Sequence, residues 1–103
     1  MVNLLHQSVR DRSYDMIPTA KNRNSRRKYG LTMYDLENYF MSITEEDLYA
    51  GPLGDMDFPG EELFIFKKEM MKNVIFYVKI KKDSREYDRI KILSCHEDEL
   101  GGM

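Results

Sequence analysis

Apolar and polar residues alternate with a period of two over Val74-Ile75-Phe76-Tyr77-Val78-Lys79-Ile80-Lys81. Val74, Phe76, Val78 and Ile80 fall on one side of an extended chain, and Ile75, Tyr77, Lys79 and Lys81 on the other. This predicts a strand over 74–81 with one face on a core and one half-polar face. Similar runs predict strands over 62–69 and 87–95. Met71-Lys72-Asn73 and Asp83-Ser84-Arg85-Glu86 are short enough to be hairpin connections, so the three strands form an antiparallel meander.

Upstream the spacing changes to that of helices. Val2, Leu5 and Val9 give residues 2–12 an apolar side. Tyr14 to Ile17 is a brief strand or extended link, because Pro18 biases Ile17 toward an extended conformation. Residues 19–29 form a basic helix closed by Gly30 in a left-handed cap. Thr32, with Asp35 three residues on, caps another helix that carries Met33, Leu36, Phe40 and Ile43 on one side. Thr44 before Glu45, Glu46 and Asp47 signals one more helical turn. Two prolines and three glycines between Gly51 and Gly60 predict an ordered loop, with Asp55 and Asp57 in turn and capping roles. Helices followed by sheet make an α+β chain: N-terminal helices packed on a C-terminal antiparallel meander of three or more strands. With 103 residues, a single domain over 1–103 is expected.

Composition narrows the classes. Hydrophobic residues at 42% and charged residues at 33% describe a globular chain. No apolar run approaches the ~20 residues of a membrane span and no signal-peptide h-region opens the chain, so a cytoplasmic protein without a membrane partner is expected. Cys95, the only cysteine, cannot form an intrachain disulfide and reads as a buried strand residue. One cysteine and two histidines argue against a structural zinc site, and neither a metal nor another cofactor is expected. The net charge of −2 hides a segregation. Residues 21–28 hold Lys21, Arg23, Arg26, Arg27 and Lys28 without an acid, 36–70 hold nine acids against Lys67 and Lys68, and 71–91 are again basic. Such a chain presents a basic face to RNA and an acidic face elsewhere.

The candidate chemistry lies on the polar side of the sheet. His96 is a candidate general acid or base. Tyr77 and Lys79 form the polar stripe of the middle strand. Lys67, Arg89 and Lys91 are candidate cations for binding RNA phosphates. Parity opposes one member of this set. His96 has the phase of Ile90 and Ile92, which read as core, so a bulge is needed to turn it toward Tyr77.

Residues 30–96 resemble the MqsR (motility quorum-sensing regulator) family of toxins. The resemblance is carried by Gly30-Leu31-Thr32, by Met41-Ser42-Ile43-Thr44-Glu45-Glu46-Asp47-Leu48-Tyr49 and by the Gly51-Pro52…Asp55-Met56-Asp57-Phe58-Pro59-Gly60 run. Glu62-Leu63-Phe64-Ile65-Phe66-Lys67-Lys68-Glu69, Phe76-Tyr77-Val78-Lys79-Ile80 and Ser94-Cys95-His96 complete it. It implies a RelE-like α+β fold and an mRNA interferase from a type II toxin–antitoxin pair, with single-stranded RNA and a cognate antitoxin as partners. The family's catalytic tyrosine falls on Tyr77, and a basic residue closing the last strand falls on His96. Ala50 and Ile65 stand where some relatives carry lysine and glutamine, and Lys67 is a candidate substitute. The rival reading is a non-catalytic protein-binding module on the same fold, either a degenerate toxin or a phage- or plasmid-borne inhibitor of a host protein, with the acidic segment 45–62 as its interface.

Overall fold

The structure is a computed structural model that describes residues 1–82 and 89–98. It is an α+β fold in which three helices precede most of a five-stranded mixed sheet. Helices α1 (Val2–Asp11), α2 (Ala20–Tyr29) and α3 (Met33–Ser42) start near the expected positions. The Thr19 hydroxyl accepts from the Asn22 amide at the start of α2. Thr32 and Asp35 cap α3 reciprocally, the Thr32 amide donating to the Asp35 carboxylate over 2.8 Å. Gly30 closes α2 with φ of 62°, a conformation that costs glycine little. Thr44 and Asp47 cap a single 3₁₀ turn over Glu45–Asp47.

The strands are β1 (Tyr14–Met16), β2 (Leu48–Gly54), β3 (Glu62–Met71), β4 (Val74–Lys82) and β5 (Ile90–Glu97), in the spatial order β1-β5-β4-β3-β2. The meander expected from the alternating runs is the centre of this sheet, β3-β4-β5, antiparallel throughout. Asn73 takes a left-handed conformation in the β3–β4 hairpin, with φ of 64°. The second expected connection, at Asp83-Ser84-Arg85-Glu86, lies outside the described residues.

The pairing of the two edges was not expected. Tyr14–Met16, in the stretch read as a brief strand or extended link, pairs in parallel with Ile90–Ile92, which makes the sheet mixed. The first half of the expected 51–60 loop is strand: Leu48–Gly54 pairs antiparallel with β3. Proline is tolerated there because an edge strand need not donate every amide to a neighbour. A glycine is required at position 51, where φ is 119° and a Cβ would lie 2.6 Å from the Leu63 carbonyl oxygen. Only the remainder, from Asp55 onward, turns back, with the Asp57 amide donating to the Asp55 carboxylate over 2.9 Å.

The core forms between one face of the sheet and helices α1 and α3. Val2, Leu5, Val9, Leu36, Phe40 and Ile43 meet Phe66, Phe76, Val78, Ile80, Ile90, Ile92 and Cys95. Full burial of each large apolar side chain contributes about 1.5–3 kcal/mol. Burial also pushes the Cys95 thiol up to about 12, so it stays neutral and unreactive at ordinary pH. Among the described residues no helix is long and apolar enough to cross a membrane.

Helix α2 attaches differently. Its buried residues are Asn22 and Ser25, and it lies along β5 where β1 has ended. The Asn22 side chain donates to the Leu93 carbonyl over 3.3 Å and accepts from the Cys95 amide over 2.9 Å. The Ser25 hydroxyl accepts from the Glu97 amide over 2.9 Å. Polar side chains thus take the place of a neighbouring strand for the outer edge of β5.

Candidate functional site

The face of the sheet away from the helical core carries Tyr77, Lys79 and Lys81 on β4, as the alternation requires. His96 joins them because of one irregularity in β5. Lys79 stands opposite Ser94 and Ile80 opposite Ile92, so Leu93 is an extra residue. This bulge reverses the phase of the strand. Before it, Ile90 and Ile92 point into the core. After it, Cys95 points into the core and His96 out of it, opposite Tyr77. The bulge that parity demanded is present.

The Tyr77 and His96 rings stack with 5.4 Å between centroids and 17° between planes. Both line a cleft of about 520 Å³ together with Lys79, Ser94, Asp98 and the start of α2, Thr19 to Lys21. His96 Nδ1 lies 3.0 Å from the Glu97 carbonyl oxygen. A carbonyl only accepts, so Nδ1 carries the proton in this contact and Nε2 of the neutral ring keeps its lone pair. Burial raises the Tyr77 phenol above its ordinary value. The Asp98 and Tyr49 side chains add to the rise and the Lys67 ammonium opposes it. Tyr77 therefore holds its proton at neutral pH and is a donor.

Lys67 stands opposite Tyr77 on β3. Its Nζ lies 3.0 Å from Asp98 Oδ2, with the two side chains 10% and 6% exposed, and 3.9 Å from the centroid of the Tyr49 ring. It supports the cleft from beside Tyr77 without lining it. Lys91 belongs to the other end of β5 and Arg89 precedes that strand, roughly 13 and 20 Å along it from His96. Arg89 is held by Asp15, to which its Nε donates over 2.8 Å, and Lys91 is paired in register with Lys81. The structure therefore brings Tyr77, His96 and Lys79 into one cleft, sets Lys67 next to it, and leaves Arg89 and Lys91 outside its lining.

Sequence reasoning missed two contributions. Asp98 follows the expected end of the last strand, and its partner Lys67 is 31 positions earlier, so no local pattern announces the pair. The α2 residues were legible as a basic helix, but their closeness to His96 follows from the polar seam through Asn22 and Ser25. A polar pair at helical spacing, Asn22 and Ser25, in a helix without an apolar side was the available signal. Around the site Glu97 accepts from the Tyr29 hydroxyl and from Lys28 Nζ at 3.1 Å, which hold its carboxyl below the usual range.

Among the described residues, no three histidine, cysteine or acidic side chains are grouped as a metal ligand set. In comparisons with known proteins, no family model, no curated protein and no solved structure matches the chain, so its likeness to MqsR toxins rests on the residues quoted above.

Proposed function

We propose that this chain is a metal-independent endoribonuclease of the cytoplasm, acting as the toxin of a type II toxin–antitoxin pair. The observation that supports it best is the stacked Tyr77–His96 pair, delivered by the Leu93 bulge to an open cleft beside Lys79. RNA cleavage without a metal needs a base, an acid and a cation. The 2′-hydroxyl attacks the adjacent phosphorus, the O2′–P bond forms and the P–O5′ bond breaks. A cyclic phosphate and a 5′-hydroxyl result. His96 Nε2 takes the 2′ proton, and the protonated phenol of Tyr77 supplies one to the leaving oxygen. Lys79 stabilises the charge on the phosphorane. Lys67, neutralised by Asp98, positions Tyr77 rather than meeting the phosphate. The antitoxin covers the cleft.

Purified protein incubated with a defined single-stranded RNA tests this, with and without EDTA. Cleavage to cyclic-phosphate ends in both conditions is expected. Intact RNA in both would favour the second reading, a non-catalytic protein-binding module. A separate observation supports that reading. The open edge β2 and the turn after it expose Tyr49, Leu53, Met56 and Phe58 within the acidic segment 45–62.

A further inference from the structure

We infer that RNA enters or leaves the cleft along α2, with Lys21 and Lys28 as its phosphate contacts. This rests on the ribonuclease reading and adds the path of the strand beside the reacting phosphate. A second groove, of about 230 Å³, is lined by Lys21, Asn24, Ser25, Lys28, His96 and Glu97. It shares Lys21 and His96 with the main cleft, so the two are continuous. Lys21, Asn24 or Ser25, and Lys28 follow one another at helical spacing and form a single stripe roughly 10 Å long.

The way α2 attaches turns this stripe outward. The helix is fixed by the buried Asn22 and Ser25, and Lys21, Asn24 and Lys28 are exposed. Lys28 is 62% exposed, and its ion pair with Glu97 is a surface pair of small net stability. A phosphate can replace that carboxylate as its partner. The helix itself brings five cations and no acid between 21 and 28.

Two alternative paths fit less well. The groove formed by Arg23, Arg26 and Arg27 with Gly30 and Leu31 shares no lining residue with the cleft. Arg89, just before the far end of β5, lines neither the cleft nor the groove that continues it.

The test separates binding from cleavage. A short single-stranded RNA of mixed sequence, methylated at every 2′-oxygen, is titrated against the wild type, a Lys21→Ala/Lys28→Ala variant and an Arg23→Ala/Arg27→Ala variant. Two single-strand phosphate contacts contribute a salt slope of about 1.4, so between 50 and 200 mM salt the wild type should lose roughly 7-fold more affinity than the lysine variant. The arginine variant should keep the wild-type slope within error. Should the lysine variant melt earlier than the wild type, Lys21→Gln/Lys28→Gln replaces it. An unchanged slope in the lysine variant, a larger loss in the arginine variant, or no binding by the wild type overturns the inference. Tight, lysine-dependent binding with no cleavage of the unmethylated RNA would instead remove the ribonuclease reading and leave the binding path standing.

Discussion

Two lysines on the open face of the sheet look alike and serve different ends. Lys67 and Lys81 are each about 10% exposed or less, and each lies under an aromatic ring, Tyr49 at 3.9 Å and Phe58 at 4.2 Å. Lys81 has two carboxylates, Asp55 at 3.2 Å and Glu61 at 3.0 Å, both from the turn between β2 and β3. Its contacts close a loop onto the sheet. Among the described residues Lys67 has one close carboxylate, Asp98, which follows His96 by two residues. That contact ties the end of β5 across Tyr77 to β3. The same pairing of ammonium, carboxylate and ring thus serves in one place as a clamp on a turn and in the other as the support of a cleft. Which role it takes depends on what lies beside it.

Breaking the two pairs should show the difference. Lys67→Met removes the ammonium 3.0 Å from the buried Asp98 carboxylate, and breaking such a buried pair typically costs about 3–5 kcal/mol. Denaturant unfolding should show a loss of that order, and Lys67→Met/Asp98→Asn should recover part of it. Equal losses from Lys67→Met and Lys81→Met would erase the distinction.

Within the supported cleft, His96→Ala should lower the cleavage rate by ~10²-fold or more with an unchanged melting temperature. Tyr77→Phe keeps the stack and removes the donor, so a loss of ~10-fold or more is expected, again without unfolding. Cleavage at the wild-type rate by either variant would detach the stacked pair from the reaction.

Lys81→Met should leave cleavage intact. Its effect should appear as faster hydrogen exchange at the amides of residues 55–61, with a smaller loss of global stability than Lys67→Met. Protection that persists there would mean that backbone hydrogen bonds alone hold the turn.

The smallest effect is that of pH on the clamp. The Asp57 amide first, and then the Lys81 ammonium, hold Asp55 below its ordinary value of 3.8. Burial opposes the charge on Lys81, but hydrogen bonds to Glu61 and Asp55 outweigh it and raise the group above 10.5. The Asp55 contribution is present above pH ~4 and is lost as pH falls through the depressed value. The Lys81 contribution is present below pH ~10 and is lost only as pH rises through the raised one. Exchange protection of the turn should therefore be flat between those limits and fall on acidification. A fall centred near pH 7 would point to a different group.

Much of the fold was legible because its signals are local. Thr32 and Thr44 mark starts that depend on hydrogen bonds within three residues, and the alternation in β4 marks its own two faces. The edges were not. β2 contains Gly51-Pro52 and lacks a regular alternation, so its pairing with β3 is a tertiary choice. β1 has three residues and depends on β5. For the candidate site, Tyr77 and Lys79 followed from alternation and His96 required a bulge that the sequence could demand but not locate. Its trace is the succession Ile92-Leu93-Ser94-Cys95, where two apolar neighbours break the phase.

That extra residue makes the bulge itself a chemical variable. Deleting Leu93 would join Ile92 to Ser94 in regular alternation and keep His96 opposite Tyr77, whereas retaining Leu93 in regular pairing would turn His96 inward and Cys95 outward. An imidazole would enter an apolar interior and a thiol would occupy the place opposite Tyr77. A protein of this design can exchange Leu93 for many other side chains, or lose it, but while the residue is present the bulge must form. When related chains are aligned, those with a one-residue gap at this point should therefore still place a histidine in the cleft, through a strand that needs no bulge.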